Sequence, residues 1–316
     1  ADTKETLVYG GESAIELPFL FPDLHMDDFV TYDKGYIKTD QDVIFSEKRS
    51  LKIHYEKNQD QYLLFPYFCD VSQMEGNIIS DSVIKRTTNR KDYDMTYYQI
   101  IHPQAALRAV QKLDFSGIGT TMEEIMEKDY IKSMYDYGTY VKKEYLKVPK
   151  NMKKCLKSLD VKTDKKKTVY ENIEAVRSYL KYNYQYSYRP GLAPQGKDPV
   201  IYFLQDRKKG FCTQYASAAV FMLRNAKIPA RYVEGYRIRS DQWRLGKAQV
   251  TDYEAHAWVE VYLEHIGWVP VDVTGVSTGK TAYERTEKAE KQQNAIVPNK
   301  KQFVTNVKKA MYFVPF

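Results

Sequence analysis

The sequence predicts an α+β fold in which a cysteine-bearing helix packs on an antiparallel sheet, preceded by a β-rich domain. Three observations predict it. Apolar residues recur with period two in segments of residues 1–118, as in half-buried strands. They then recur at helical spacing, and three strand-like runs follow the helix that begins at Cys212. We therefore expect a β-rich domain (1–118), an α+β domain with a helical lead-in (119–278) and a polar C-terminal extension (279–316).

The β-rich region is best represented by SLKIHYEK at residues 50–57. Leucine, isoleucine and tyrosine alternate there with lysine, histidine and glutamate, which is the pattern of a half-buried strand. DVIFSE, YLLFPYF and DYDMTYYQII continue the pattern on either side. This region is expected to form an antiparallel sandwich or barrel-like domain.

The helical lead-in begins at TTMEEIMEKDYIKSMYDYG, where a threonine followed three residues later by glutamate indicates a capping box. VPKNMKKCLKSL and TVYENIEAVRSYLKYN place apolar residues on one helical face and predict two further helices. YQYSYR then predicts a short strand. Asp198 followed by Pro199 is typical of an N-cap with a first-turn proline.

The net charge of +7 suits anionic surroundings, such as a cell-envelope polymer. The basic residues are dispersed and show no nucleic-acid-binding module, so no nucleic-acid partner is expected. No apolar run reaches the length needed to span a bilayer, and ADTKETL at the start is not typical of a signal peptide. A membrane association would therefore need an anchor outside this chain.

Cysteine usage excludes two classes of protein. Cys69, Cys155 and Cys212 cannot all pair, and none lies in a CxxC motif, so neither a disulfide framework nor a cysteine zinc site is expected. A disulfide between Cys69 and Cys155 and a pair of core thiols remain alternatives. HExxH and calcium-loop patterns are absent, and we expect no metal and no cofactor.

Cys212 lies in RKKGFCTQYA, directly before a run of small and apolar residues. This context places it at a helix N-terminus, where the helix dipole and the preceding basic residues favour a thiolate. The small residues of ASAA, at 216–219, would let the helix approach a sheet closely. A buried structural cysteine is the alternative interpretation of this segment alone.

The strands that follow supply partners for a nucleophile. In EAHAWVEVYLEH, alternation separates His256 from the apolar positions of the strand, and in GWVPVDVT it separates Asp272 from the valines. A buried aspartate needs a partner, and a histidine on the neighbouring strand would provide one. The sequence therefore predicts a Cys212 nucleophile, a His256 base and an Asp272 that orients the imidazole.

The segments GFCTQYASAAVFMLRNAKIPARYVEGY and AHAWVEVYLEHIGWVPVDVT resemble the transglutaminase-like superfamily, in its bacterial, envelope-associated branch. The resemblance covers roughly residues 145–275 and implies a papain-like core, with Cys212, His256 and Asp272 at the positions of the family triad. DVTGVS departs from the many relatives that carry a proline before the threonine. The resemblance also implies an oxyanion hole that includes the Cys212 N–H, for which Gln205 is a candidate second donor.

The resemblance implies a cysteine acyltransferase or peptidase acting on peptide or protein amides, located outside the cytoplasm. Hydrolysis, deamidation and transamidation are all open, and the choice depends on an acceptor groove that we expect Trp258, Tyr253 and Tyr215 to line. A non-catalytic envelope-binding module with the same fold is the alternative. A thiol redox protein is disfavoured because no second cysteine lies near Cys212 in the sequence.

Overall fold

The computed structural model describes residues 45–55, 61–66, 74–80, 83–100, 129–238, 242–263, 267–274 and 311–315. The helices within these residues are α1 (Asp129–Tyr145), α2 (Lys150–Lys157), α3 (Val169–Asn183), α4 (Pro199–Tyr202) and α5 (Cys212–Asn225). The strands are β1 (Phe45–His54), β2 (Phe65–Pro66), β3 (Gly76–Ser80), β4 (Val83–Arg86), β5 (Asp92–Ile100), β6 (Gln185–Tyr186), β7 (Lys209–Gly210), β8 (Ala230–Ile238), β9 (Ala255–Leu263), β10 (Gly267–Val271) and β11 (Met311–Pro315). The α+β prediction is confirmed.

The largest sheet has five strands in the order β10-β9-β8-β11-β2. Strands β8, β9 and β10 are antiparallel to one another, whereas β11 pairs in parallel with both β8 and β2. Gly267 begins β10 with a φ of 97°, a conformation that favours glycine at this entry into the strand. The three antiparallel strands are those that the sequence predicted after the cysteine helix.

Helix α5 packs on β8 and β9. The residues Ala216, Ala218 and Ala219 are fully buried, so the expectation that small side chains permit a close helix–sheet approach is confirmed. Helix α1 contacts the same sheet through Tyr137, whose hydroxyl accepts a hydrogen bond from Trp268 Nε1 at 2.7 Å. These contacts hold the core around the strand on which His256 lies.

Helices α2 and α3 follow the predicted periodicity. Pro149 precedes the first residue of α2, which buries Met152 and Leu156. Thr168 caps α3, and its hydroxyl accepts a hydrogen bond from the Glu171 backbone at 3.2 Å. The capping box predicted near residue 120 lies outside the described residues, whereas α1 itself continues to Tyr145.

The Asp198 cap is confirmed, since its carboxylate accepts from the backbone N–H groups of Val200 and Ile201 at 2.9 and 3.0 Å. The helix that it begins is short, because α4 passes after four residues into a π-helical turn, Phe203–Arg207. This turn ends at Lys208, which has a left-handed φ of 54°. The chain is thereby redirected into β7 and the start of α5.

The N-terminal region is rich in strands, as predicted. Strand β1 joins the DVIFSE and SLKIHYEK segments into one strand, with an irregularity between Phe45 and Lys48, and pairs with β5. Strands β3 and β4 form a second antiparallel pair. Strand β2, from the YLLFPYF segment, lies in the large sheet beside β11. This strand is therefore not part of a separate N-terminal sandwich. The domain boundaries stay a prediction.

Candidate active site

The backbone before Cys212 is held in place on three sides. Strand β7 pairs with β6, the Gln214 side chain accepts from the Phe211 N–H at 3.0 Å, and α5 begins at Cys212 itself. Gly210 is required at this approach, because a Cβ there would lie 2.7 Å from the Phe203 ring and 2.9 Å from the Gln214 Cβ. Cys212 is therefore fixed at the first turn of α5, with 8% of its surface exposed.

His256 and Asp272 meet as predicted. His256 lies at the start of β9, and Asp272 directly follows β10, which pairs with β9 up to Val271 and Val259. The imidazole Nε2 is 3.1 Å from Asp272 Oδ2. The Cys212 side chain also interacts with the imidazole. Because Nε2 is engaged by the carboxylate, Nδ1 is the nitrogen available to the sulfur.

The electrostatics of the pair favour a charged imidazole and a charged carboxylate. Burial lowers the pKa of His256, but hydrogen bonds with Asp272 and Cys212, and their negative charges, raise it to about 9. Burial in turn raises the pKa of Asp272, yet the hydrogen bond and charge of His256 hold it well below its usual range. The ionised forms support each other, which suits an imidazolium beside a thiolate.

Asp272 has further partners that the sequence analysis missed. Thr274 donates to Oδ1 through its backbone N–H at 2.9 Å and through its hydroxyl at 2.7 Å. Arg237, at the end of β8, donates to Oδ2 at 2.8 Å, and Arg177 of α3 donates to the Asp272 carbonyl at 2.8 Å. The Thr274 contact could have been inferred from the sequence, because a threonine two residues after an aspartate often hydrogen-bonds to its carboxylate. The two arginines belong to distant elements and could not. Together these contacts fix the carboxylate beside His256.

A group of tyrosines surrounds Cys212. Tyr186 lies opposite Gly210 in the pairing of β6 with β7, and Cys212 interacts electrostatically with Tyr186, Tyr188 and Tyr232. Burial, followed by these charges, raises the pKa of Tyr186 and of Tyr188. These hydroxyls therefore stay protonated around the sulfur. The sequence predicts a strand at YQYSYR, but it gives no sign that the tyrosine hydroxyls of this strand lie near Cys212.

The three residues expected to line a groove lie in different surroundings. Tyr253 precedes β9 and is 68% exposed, so it can contact a bound molecule. Trp258 and Tyr215 are each only 2% exposed. The Trp258 ring lies against the His256 ring with centroids 6.2 Å apart, and Tyr215 packs on Tyr186 at 5.6 Å. The structure thus places these two behind the site, as support for it.

The hydrogen bond of the Gln205 side chain joins it to α2 and not to Cys212. Gln205 lies exposed on the π-helical turn, and its amide nitrogen donates to Ser158 Oγ at 3.2 Å, at the end of α2. The pattern of the sequence could not reveal this contact, because it joins segments 47 residues apart. The expectation that Gln205 completes an oxyanion hole has no support in this geometry.

The remaining predictions concern cysteines, metals and membranes. Cys155 is a buried free thiol on α2, and burial raises its pKa, which favours the core-thiol alternative; Cys69 lies outside the described residues. Within the described ranges, no group of three or more His, Cys, Asp or Glu side chains is suited to hold a metal ion. None of the described helices combines the length and apolar character needed to cross a bilayer.

Comparison with known proteins relates part of the chain to a known superfamily. The family model of the Transglutaminase-like superfamily matches residues 157–273. The chain is 27% identical over 251 residues to the uncharacterized protein YebA of Bacillus subtilis, covering 73% of this chain and 31% of YebA. It is 44% identical over 79 residues to a protein-glutamine gamma-glutamyltransferase of Pseudomonas aeruginosa, covering 25% of this chain and 12% of that protein. The chain thus spans less than a third of the length of either relative.

Among solved structures, the periplasmic domain of TgpA from Pseudomonas aeruginosa is similar at a TM-score of 0.45 and 20% identity, covering 79% of this chain and 76% of that one. The matched family range contains Cys212, His256 and Asp272, and it extends from the end of α2 to the residue after Asp272. The chain therefore carries a domain of the transglutaminase-like superfamily.

Proposed function

We propose that this chain is a cysteine-dependent acyl-transfer enzyme that acts on peptide or protein amides. The observation that carries the proposal is the His256 imidazole, which lies 3.1 Å from the Asp272 carboxylate and also interacts with the Cys212 side chain. A nucleophile, a base and a group that orients the base are thereby joined in one chain of contacts.

The first half of the proposed reaction forms a thioester. The Cys212 thiolate attacks the amide carbon, and the carbonyl electron pair moves to the oxygen, which the Cys212 N–H can stabilise. The pair then re-forms the carbonyl, the carbon–nitrogen bond breaks, and His256 gives its proton to the leaving nitrogen. Asp272 holds the imidazole in the orientation that both steps require.

The second half transfers the acyl group to a nucleophile. His256, now neutral, accepts a proton from a water molecule or an amine as that group attacks the thioester carbon. The carbon–sulfur bond then breaks, and Cys212 leaves as the thiolate beside the protonated His256. Transfer to an amine such as lysine forms a new amide, whereas transfer to water gives an acid. The similarity to a protein-glutamine gamma-glutamyltransferase supports glutamine as acyl donor, over the 79 residues that the two proteins share.

The setting of the reaction is part of the proposal. We infer an extracytoplasmic location from the resemblance to the envelope-associated branch of the superfamily. A protein or peptide is the proposed substrate, and the net charge of +7 is compatible with a partner such as an anionic envelope polymer. Of the three residues predicted to line a groove, Tyr253 is exposed beside the start of β9 and is the one proposed to contact such a substrate.

The first experiment measures the reactivity of the thiol. Wild type and His256→Ala would be treated with iodoacetamide at about pH 7, and each cysteine followed by mass spectrometry. Alkylation of Cys212 is expected to be at least about tenfold faster in wild type, because the imidazolium stabilises the thiolate. Cys155, a buried thiol in the same chain, is the internal reference, and its rate should be the same in both proteins.

The second experiment measures turnover. Incorporation of a dansylated amine into a glutamine-rich protein and release of ammonia would be measured for wild type and Cys212→Ala. Ammonia release with amine incorporation supports transamidation, and release without incorporation supports deamidation. A His256-independent thiol with neither activity would instead favour the alternative, a binding module that keeps the fold without turnover.

A further inference from the structure

Arg237 lies one strand away from His256, at the end of β8. In the register of β8 with β9, Gly235 lies opposite His256. Arg237 comes two residues after Gly235, so its side chain projects from the same face of the sheet as the imidazole. Its backbone stays paired with β11, where it lies opposite Val314. The guanidinium thus extends from a fixed point on the sheet beside His256.

The side chain of Arg237 reaches past β9 to Asp272. The strand order is β10-β9-β8, and Asp272 directly follows β10, so about 9–10 Å, or two strand spacings, separate the two segments. Arg237 Nη1 nevertheless donates to Asp272 Oδ2 at 2.8 Å, and the same oxygen lies 3.1 Å from His256 Nε2. The guanidinium and imidazole nitrogens are therefore no farther apart than these two distances laid end to end.

The second carboxylate oxygen of Asp272 is held separately. Oδ1 accepts from the Thr274 backbone N–H at 2.9 Å and from the Thr274 hydroxyl at 2.7 Å. Because these two bonds fix Oδ1, the oxygen that faces the imidazole is Oδ2. Arg237 and His256 therefore share one oxygen of a carboxylate that is fixed at its other end.

Several elements place charged and titratable groups around the His256–Asp272 pair. These groups are Arg177 with its partner Glu174 (α3), Tyr186 (β6), Tyr188 (after β6), Cys212 (α5) and Arg237 (β8). Arg177 contacts only the backbone carbonyl of Asp272, and Glu174 offsets its charge. The ion pair of Arg237, in contrast, is with the Asp272 carboxylate itself. Arg237 is thus the cation that shares this carboxylate with the imidazolium.

A shared carboxylate acts differently on His256 from one that serves the imidazole alone. The guanidinium draws on the same negative charge, and as a like charge it disfavours the protonated imidazole. In the proposed reaction His256 holds its proton beside the thiolate and then gives that proton to the leaving nitrogen. An imidazolium bound too firmly by the carboxylate would be a poorer proton donor in the second of these steps.

We propose that Arg237 is a positioning residue of the acyl-transfer site, which holds Asp272 Oδ2 beside His256 and limits, by its charge, how firmly the carboxylate binds the imidazolium proton. This inference rests on the proposed function and adds a residue that acts through the His256–Asp272 pair. The side chains of Arg237 and Asp272 are 22% and 21% exposed, so water weakens the effect without abolishing it.

The test compares Arg237→Gln, which keeps an N–H donor but loses the charge, with Arg237→Lys, which keeps the charge. Two measurements need no substrate: NMR titration of the His256 ring, and the rate of Cys212 alkylation by iodoacetamide as a function of pH. Loss of the cation favours the imidazolium and disfavours the thiolate. We therefore expect Arg237→Gln to move both titration curves to higher pH by about one pH unit, and Arg237→Lys to keep them close to wild type.

Two further variants serve as controls. Arg237→Met is a second neutral variant that keeps an apolar stem, and it should move both curves in the same direction as Arg237→Gln. Arg90→Gln removes an arginine whose Nη1 lies 2.9 Å from Glu75 Oε1 in an exposed pair of the strand-rich region. It deletes the same kind of contact away from the site, so both curves should coincide with those of wild type. Thermal unfolding of each variant checks that it is folded.

A third measurement reports proton donation by His256. Acylation by a glutaminyl p-nitrophenyl ester releases p-nitrophenolate, which leaves without a proton, whereas release of ammonia from a glutamine peptide requires one. Each rate would be measured at the pH optimum of each variant. Arg237→Gln should therefore slow ammonia release more than it slows ester acylation. A loss of packing alone would lower both rates by the same factor.

The outcomes distinguish this inference from the proposed function. Titration curves of Arg237→Gln that coincide with those of wild type would overturn the role of Arg237, as would an equal fall in the ester and amide rates. A displacement that Arg237→Lys shares would also overturn it, since the side chain would then act by its shape and not by its charge. A wild-type Cys212 that is neither acylated nor alkylated faster than Cys155 would contradict the proposed function itself, whereas the His256 titration would still report the effect of Arg237.

Discussion

Asp272→Asn removes the charge on which the protonation of His256 depends, while keeping the size and shape of the side chain. The carboxylate accepts from His256 at 3.1 Å and from Arg237 at 2.8 Å. In the folded protein the pKa of His256 is raised from 6.5 to about 9. Between these values the folded protein holds one more proton on His256 than the unfolded chain does, so its stability falls as the pH rises.

The size of this effect follows from the pKa difference. A rise of one pKa unit corresponds to about 1.4 kcal/mol, so His256 contributes on the order of 3 kcal/mol to the free energy of unfolding. That contribution is complete below pH 6.5 and is lost as the pH rises through about 9. Asp272 itself contributes a constant amount over this range, because its folded pKa lies below the ordinary value and its stabilising effect is lost only in acid.

In Asp272→Asn, burial then opposes the charged imidazole without the carboxylate to offset it, and the pKa of His256 should fall. Urea unfolding of wild type and variant from about pH 6 to pH 9.5 would show the effect. The gap in stability between the two proteins is expected to narrow by up to about 3 kcal/mol as the pH rises. NMR titration of the His256 ring would give the pKa directly.

Asp92→Asn is the control, since Asp92 accepts from His54 Nδ1 at 2.9 Å in a similar pair that is half exposed. Its removal should change the pH dependence little, because water screens exposed ion pairs. A constant gap between wild type and Asp272→Asn across this pH range would refute the reasoning. It would mean that the Asp272 charge does not hold the proton on His256.

Three further substitutions test the site and its scaffold. Arg231→Met removes the ion-pair partner of Glu260, which is fully buried on β9. The free energy of unfolding, measured in urea, should fall by about 3–5 kcal/mol, and the double variant with Glu260→Leu should regain most of that loss. Gly210→Ala places a Cβ 2.7 Å from the Phe203 ring, so both the thermal midpoint and the alkylation rate of Cys212 should fall; unchanged values would show that the approach to α5 tolerates a side chain. Gln205→Ala should keep acylation within about twofold of wild type, and a loss nearer 10²–10³ would restore Gln205 as an oxyanion donor.

The local elements could be predicted from the sequence because local interactions decide them. The periodicity of α2 and α3, the Thr168 capping box and the Asp198 cap all depend on residues within one or two turns of each other. The proximity of His256 and Asp272 was also predictable, since few residues separate two strands that pair antiparallel and the register places their ends together.

Tertiary packing decided what the alternation of β9 could not. Alternation puts Trp258 and Glu260 on the same face of the strand as His256, yet both are buried. Glu260 is paired with Arg231 of β8, and the Arg231 guanidinium lies 4.2 Å from the centre of the Trp268 ring. When both faces of a strand are covered, its polar positions do not indicate a solvent-exposed face. Their side chains are buried and need hydrogen-bond or ion-pair partners from other elements.

Distant segments also complete the sheet and the site. Strand β11 lies between β8 and β2, although the sequence predicted only a polar C-terminal extension there. Arg237 reaches Asp272 across 35 residues of sequence, and the pairing of β6 with β7 brings Tyr186 opposite Gly210, two residues before Cys212. The sequence by itself identified the three candidate residues and the elements that bear them. Only the tertiary structure decided which groups surround those residues, because such contacts depend on long-range packing and leave no periodic signal in the chain.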